Sequence, residues 1–204
     1  MKLRLYHIAW VLCVILAAIF FLLGVPREQT STSPLSGTTP IAGADMFGGA
    51  FTLTDHNGEQ VTDKSWPDKY RIIYFGFTFC PDVCPLGMTT IANALSDLPQ
   101  DIQDKIQPVF ITVDPARDDA ATLKQYVTLF NPNFIGLTGT DEQINHIKKL
   151  YKIYAEKDGS GDEYMINHSA FTYLVDPDGT LVGLYAHETT AKEMAADMAK
   201  QVRK

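Results

Sequence analysis

Two cysteines, Cys80 and Cys84, are separated by three residues and form the most chemically suggestive pair in the sequence. Thiolates are the form of cysteine that attacks disulfides and binds metal ions. If the turn between them is helical, positions i and i+4 lie on one face and both sulfurs point at one site. A helix N-terminus adds partial positive charge, which favours the thiolate. The pair therefore indicates a redox-active dithiol or part of a metal site, rather than a structural staple.

Soft sulfur ligands favour copper over zinc in this chain. A structural zinc site normally uses four protein ligands, and only two cysteines lie outside an apolar N-terminal run. Copper accepts mixed cysteine and histidine ligands, so a histidine would complete the set. The best placed is His168, which is expected in the loop that enters a strand at 170–175, a position that faces the cysteine turn in a thioredoxin-like fold. A hydrogen-bonded structural role is the alternative for a lone histidine. We interpret the other four as membrane-edge, solvated or helix-start residues: His7, His56, His146 and His187.

Several neighbours of the motif have two interpretations each. Asp82 attracts a cation or caps a turn, and Met88 packs in the core or supplies a soft axial ligand. Arg117 pairs with a nearby acid or lies beside the metal. Three alternating aromatic residues pack the core or cover the site: Phe75, Phe77 and Phe79.

The N-terminal segment predicts a transmembrane anchor, residues 1–25. Its residues 8–25 carry no charge, and a helix of that length spans roughly 27 Å, close to the thickness of the hydrocarbon core. Lys2 and Arg4 precede the run and favour a cytoplasmic N-terminus. A cleaved signal peptide is the alternative, but no clear cleavage site follows. Cys13 lies mid-span and is interpreted as an apolar membrane residue.

The remainder divides into a flexible linker, residues 26–43, and a folded domain, residues 44–204. The linker is rich in Ser, Thr, Pro and Gly and has few large apolar side chains, so it cannot fold alone. The net charge of the chain is −7, and every acidic residue follows the apolar run. That acidity excludes a nucleic-acid-binding role, which needs a basic surface.

Residues 44–204 predict an α/β domain with a mixed sheet flanked by helices. Three hairpins are expected, around Asn57–Gly58, around 176–179, and by pairing of 153–156 with 163–166. Three further strands are expected at 71–78, 107–113 and 133–137. Four helices are expected at 85–98, 118–130, 141–152 and from Thr190. Asp118 or Asp119 is expected to cap the second helix. A cysteine pair at a strand-to-helix turn makes the fold thioredoxin-like, as in peroxiredoxins.

Four segments resemble the Sco/SenC family: 76–85, 113–118, 168–169 and 176–179. The resemblance extends over the whole predicted domain. It implies a copper-binding protein that helps assemble the dinuclear copper A site in subunit II of cytochrome c oxidase. It also implies that copper is held by the two motif cysteines and the histidine, which are Cys80, Cys84 and His168 here.

Three functions follow as hypotheses. The first is a copper metallochaperone that serves cytochrome c oxidase subunit II or another copper oxidase without turnover. The alternative is a thiol–disulfide reductase that keeps the cysteines of the oxidase copper site reduced, with Cys80 and Cys84 as the redox pair. A thiol peroxidase fits the close cysteine pair poorly. We expect the protein in a bacterial inner membrane, with its domain facing the periplasm or cell exterior.

Overall fold

The central feature of the computed structural model is a mixed seven-stranded sheet. The structure describes residue 14, residues 43–161 and residues 163–202. Within that described part the strands are β1 (Thr52–Asp55), β2 (Gln60–Thr62), β3 (Tyr70–Gly76), β4 (Ile106–Thr112), β5 (Ile135–Thr138), β6 (Ala155–Asp158), β7 (Met165–His168), β8 (Thr172–Val175) and β9 (Leu181–Tyr185). The order in the sheet is β2-β1-β5-β4-β3-β8-β9, and β6 pairs with β7 as a separate two-stranded sheet.

The centre of the sheet is parallel and its edges are antiparallel. Strand β3 pairs with β4 in parallel and with β8 in antiparallel orientation, so hydrogen bonds fix it on both sides. All residues of β3 after Tyr70 are buried, as expected for a strand covered on both faces. The end of this strand therefore has a well-fixed position, and the cysteine motif follows directly.

The helices connect and cover these strands. They are α1 (Val83–Ser96), α2 (Gln100–Gln103), α3 (Ala120–Thr128), α4 (Asp141–Leu150) and α5 (Ala191–Gln201), with a 3₁₀ turn at Ala44–Met46. The side chain of Asp119 caps α3 by accepting from the N–H of Thr122. Capping boxes begin α4 and α5, at Thr140 and Thr190, so local sequence determines where these helices start.

The predicted fold class is confirmed: the structure is a mixed sheet flanked by helices, and all three expected hairpins form. Three details differ. Helix α1 begins at Val83, within the motif, and Pro99 starts the unpredicted short helix α2. The histidine expected in a loop before β8 is instead the last residue of β7, because the hairpin extends to it.

The predicted anchor and linker lie outside the described residues, apart from Val14 and Gly43. Among the residues that the structure does describe, no helix combines the length and the apolar character needed to cross a bilayer.

Candidate metal centre

The two cysteines occupy the connection between β3 and α1. Cys80 lies in the loop before the helix, and Cys84 is the second helical residue. The N–H of Cys84 donates to the Cys80 sulfur at 3.4 Å. The sulfurs therefore converge, although Cys80 itself is not helical as the i, i+4 argument assumed.

His168 reaches the same place from the β6–β7 hairpin. It pairs with Ala155 at the end of β7, and its Nε2 lies 3.4 Å from the Cys84 sulfur. Its Nδ1 lies 2.9 Å from the carbonyl oxygen of Ser169. Because a carbonyl only accepts hydrogen bonds, this contact assigns the ring proton to Nδ1. Nε2 then presents its lone pair toward the sulfurs, as a metal ligand must.

The donor atoms of Cys80, Cys84 and His168 all lie within 4.8 Å of one another. Three donors arranged around one ion at about 2.0–2.3 Å lie roughly 3.5–4.0 Å from one another. The three side chains can therefore reach one ion with relative shifts of less than about 1 Å. Both cysteines are buried and the histidine is half-buried. Among the described residues, no other cluster of three metal-binding side chains is found.

The two thiols have different electrostatic environments. The hydrogen bond from the Cys84 side chain, together with the N–H groups of Asp82 and Cys84, lowers the pKa of Cys80 to about 5, against the effect of burial. The same hydrogen bond and burial raise the pKa of Cys84. Cys80 is therefore a thiolate at neutral pH, while Cys84 holds its proton until a metal or another electrophile displaces it.

A buried carboxylate supports the loop that carries Cys80. Asp118 accepts from the Thr78 N–H at 3.0 Å, the Thr78 hydroxyl at 2.5 Å and the Thr112 hydroxyl at 2.6 Å. Burial raises the pKa of Asp118. Asp118 thus links the end of β4 to the cysteine loop. The sequence left open whether Asp118 or Asp119 caps α3, and the structure shows that Asp119 is the cap.

Arg117 lies in a cluster beside the site. Its Nε donates to Asp114 at 2.5 Å and its Nη1 donates to the carbonyl of Tyr164 at 3.0 Å. Its guanidinium carbon lies 3.6 Å from the centre of the Tyr164 ring and 4.7 Å from that of Phe79. The predicted pairing of Arg117 with a nearby acid is confirmed. Tyr164 was not anticipated, because no local pattern links residues 47 positions apart.

The remaining sequence candidates lie elsewhere. His56 accepts from the Gly136 N–H, His146 contacts the Ala50 carbonyl, and His187 is half-buried before α5. His7 is outside the described residues. Met88 is fully buried in the core, and the Asp82 side chain makes no capping hydrogen bond at the start of α1.

The three alternating aromatic residues divide between core and surface. Phe75 and Phe77 are buried, with exposed fractions of 0% and 1%, whereas Phe79 is 58% exposed. The ring of Phe77 contacts the His168 ring edge-on, with centroids 5.8 Å apart. Both packing roles that the sequence allowed are therefore present. Phe75 and Phe77 pack in the core, and Phe77 also covers the site by contacting His168.

Comparison with known proteins places these features in a family. The family model SCO1/SenC matches residues 39–203. Protein sco1 of Schizosaccharomyces pombe is 39% identical over 157 residues, 75% of this chain and 60% of that protein. A SCO2-like protein of Rickettsia typhi is 38% identical over 187 residues, 90% of each chain.

A solved structure shares the fold and has a metal. The structure of Bradyrhizobium japonicum ScoI with copper bound is 41% identical and has a TM-score of 0.70, covering 76% of this chain and 98% of that one. The chain spans about 60% of the length of the fission-yeast relative, but almost all of the solved ScoI domain. On the extent of these matches, the chain belongs to the SCO1/SenC family.

Proposed function

We propose that this chain binds one copper ion through Cys80, Cys84 and His168 and carries it as cargo to a copper oxidase. The observation that carries the proposal is the convergence of two sulfurs and one imidazole nitrogen within 4.8 Å of one another, with Nδ1 of His168 bonded to the Ser169 carbonyl and Nε2 facing the sulfurs. Two thiolates and one imidazole are a donor set that suits copper.

The arrangement suits a metal that is delivered rather than kept. Three protein ligands leave room for an incoming ligand from the acceptor, which can displace the donors one at a time. His168 is half-buried and Phe79 beside Cys80 is largely exposed, so the acceptor can approach this end of the sheet. Copper-bound ScoI of Bradyrhizobium japonicum, a relative with the same fold, supports copper as the cargo.

The proposed acceptor is the copper A site of cytochrome c oxidase subunit II, or the copper site of another oxidase. Membership of the SCO1/SenC family and the sequence of residues 1–43 support this choice of acceptor. The apolar run would anchor the chain in the bacterial inner membrane, and the linker would let the domain reach a membrane-bound partner on the outer side. A tether of this kind raises the local concentration of the domain near its partner.

Thiol–disulfide reduction is the second candidate, and the contrast between the two thiols favours it. The Cys80 thiolate would attack a disulfide of the oxidase subunit and form a mixed disulfide, releasing one partner thiolate. Cys84, after losing its proton, would attack the Cys80 sulfur and release the second partner thiolate. The partner gains two electrons, and Cys80 and Cys84 become a disulfide.

Copper binding of the reduced full-length chain tests the first candidate. We expect one copper per chain, and loss of binding in Cys80→Ser and Cys84→Ser. His168→Ala should weaken Cu(I) affinity in a competition assay with a chelator by more than the about 10–100-fold that loss of an outer partner causes. His146→Ala, an exposed histidine away from the cysteines, is the matched control and should bind as the wild type does. Unchanged affinity in His168→Ala would remove His168 from the site.

Oxidase assembly in cells separates the two candidates. If copper delivery dominates, His168→Ala should lower the amount of copper-loaded oxidase nearly as much as Cys80→Ser. If thiol reduction dominates, His168→Ala should leave the oxidase intact, because the dithiol remains. The measurement is the copper A absorbance of purified oxidase from strains with each variant as the only copy.

A further inference from the structure

The side chains that could bind the metal come from two parts of the fold with no backbone pairing between them. Cys80 and Cys84 follow β3 of the seven-stranded sheet, while His168 ends β7 of the separate two-stranded sheet. Within β6 and β7 only Ile166 is buried, so the hairpin contributes little to the core. The backbone link from His168 to the main sheet is the three-residue connection to β8, which pairs with β3. Side-chain contacts between the hairpin and the cysteine loop must therefore help to determine the distance between His168 and the cysteines.

Arg117 makes contacts with both parts. On the hairpin side its guanidinium stacks on the Tyr164 ring and donates to the Tyr164 carbonyl. On the cysteine side it faces the rings of Phe79, the residue before Cys80, and of Phe77, at 4.7 and 5.9 Å. His168 itself contacts Phe77. One planar cation thus lies between the segment that precedes the cysteines and the segment that leads into β7.

A buried carboxylate fixes the orientation of that cation. Asp114 is 1% exposed, and its two oxygens accept from Arg117 Nε at 2.5 Å and from the Tyr164 hydroxyl at 2.6 Å. Tyr164 is therefore bound through its ring, its hydroxyl and its carbonyl. Guanidinium is the side-chain group that combines a planar hydrogen-bonding fork with stacking on aromatic faces, and lysine cannot replace it in both functions.

We propose that Arg117 is a positioning residue for the metal centre: together with Asp114 and Tyr164 it holds the β6–β7 hairpin against the cysteine loop and so sets the distance from His168 to the two sulfurs. The inference rests on the proposed copper ligands. Arg117 makes no direct contact with the metal in this proposal. It acts only through the position of His168. Its consequences therefore differ from those of a residue that merely stabilises the domain.

The test is a double-mutant cycle on Cu(I) affinity, measured with the reduced full-length chain and a competing chelator. Arg117→Gln should weaken affinity by about 10-fold, the lower end of the effect of an outer-shell partner. In the His168→Ala background, Arg117→Gln should cause no further loss, because the residue through which it acts is absent. Equal losses in both backgrounds, or no loss in the wild-type background, would overturn the proposal.

Three further variants make the cycle specific. Lys105→Gln removes an exposed positive charge before β4, at the opposite end of the sheet, and should leave affinity unchanged. Arg117→Lys keeps the charge but loses the fork and the stacking, so it should behave like Arg117→Gln; full retention of affinity would contradict the clamp. Tyr164→Phe removes only the hydroxyl bonded to Asp114, provides a variant if Arg117→Gln does not fold, and should weaken affinity by a few fold.

A readout without metal completes the test. In the metal-free chain, Arg117→Gln should increase amide hydrogen exchange in residues 165–168 while leaving β3 protected. Equal increases in both segments would indicate general destabilisation and contradict the positioning role. The failure of the proposed function is distinguishable: a wild-type copper spectrum without a nitrogen ligand would remove His168 from the site, whatever Arg117 does.

Discussion

The two halves of the candidate metal centre are fixed by different forces. The cysteine half follows β3, a buried strand with hydrogen-bonded neighbours on both sides, and its loop is bonded to the buried Asp118. The histidine half lies on a hairpin that pairs with neither edge of the main sheet and is mostly solvent-exposed. Backbone pairing and core burial fix the first half, whereas side-chain contacts around Arg117 fix the second.

This difference fits the chemistry of a cargo site. We expect a dithiol that follows a buried, doubly paired strand to change its geometry little when metal binds. A third ligand on a hairpin with few buried contacts can open at a lower free-energy cost, because local opening depends on the contacts that are broken. We therefore expect changes in the cysteine half to affect the whole domain, and changes in the histidine half to affect the site alone.

The largest expected effect is on the cysteine half, from Asp118→Ala. The substitution leaves the buried Thr112 hydroxyl and the Thr78 N–H without their acceptor, and each such loss costs about 1–3 kcal/mol. We expect the free energy of unfolding to fall by about 3 kcal/mol in urea denaturation. Asp119→Ala, which removes an exposed helix cap from the adjacent position, is the control and should cost about 1 kcal/mol. Equal costs would contradict a supporting role for Asp118.

The second prediction concerns the reactivity of the cysteine half. Because hydrogen bonds hold the pKa of Cys80 near 5, its thiolate fraction stays nearly constant from pH 8 to pH 6 and falls as the pH drops through 5. Alkylation of the metal-free, reduced chain at Cys80 should therefore slow only about tenfold between pH 7 and pH 4, whereas an ordinary thiol of pKa near 8.5 slows about a thousandfold. Peptide mapping distinguishes Cys80 from Cys13 and Cys84.

The matched variant is Cys84→Ala, which removes the thiol that donates to Cys80. Its alkylation profile should shift to higher pH, since the pKa of Cys80 rises when that hydrogen bond is lost. An unshifted profile would assign the low pKa to the backbone N–H groups alone.

The smallest expected effect is on the histidine half, from Gly159→Ala in the turn between β6 and β7. Its φ of 101° is unfavourable for a residue with a Cβ atom, at a cost of about 1 kcal/mol. We expect faster amide exchange in β6 and β7 with little change in global unfolding. Gly179→Ala, at φ 93° in the β8–β9 turn, is the control and should lower global stability instead. Global loss in both variants would show that the hairpin unfolds with the domain.

Local chemistry made much of the fold predictable. Asn57–Gly58 specifies a hairpin, and Thr140 and Thr190 begin helices through capping boxes, because these signals act within a few residues. The order of strands and helices followed from the same signals. The start of α1 was less predictable: Asp82 precedes it without a side-chain cap, so the tertiary position of the motif determines where the helix begins.

The three side chains of the candidate site were easier to identify from the sequence than the contacts that surround them. The spacing of Cys80 and Cys84 indicated the chemistry, the residues alone favoured His168 among the histidines, and the family resemblance implied it as the third ligand. Two contacts depend on which residues the fold brings together. Asp118, rather than Asp119, bonds the cysteine loop at Thr78, 40 positions away, and Arg117 contacts Tyr164, 47 positions away. No periodicity or motif in a single sequence encodes those contacts.

We propose that two sulfurs from the β3–α1 connection and one nitrogen from the β6–β7 hairpin bind the same ion. The decisive measurement is X-ray absorption at the copper edge of the reduced, copper-loaded full-length chain. We expect one copper per chain with two sulfur ligands and one imidazole nitrogen, and loss of the nitrogen contribution in His168→Ala. A spectrum with sulfur ligands alone, or a nitrogen contribution that persists in His168→Ala, would contradict it.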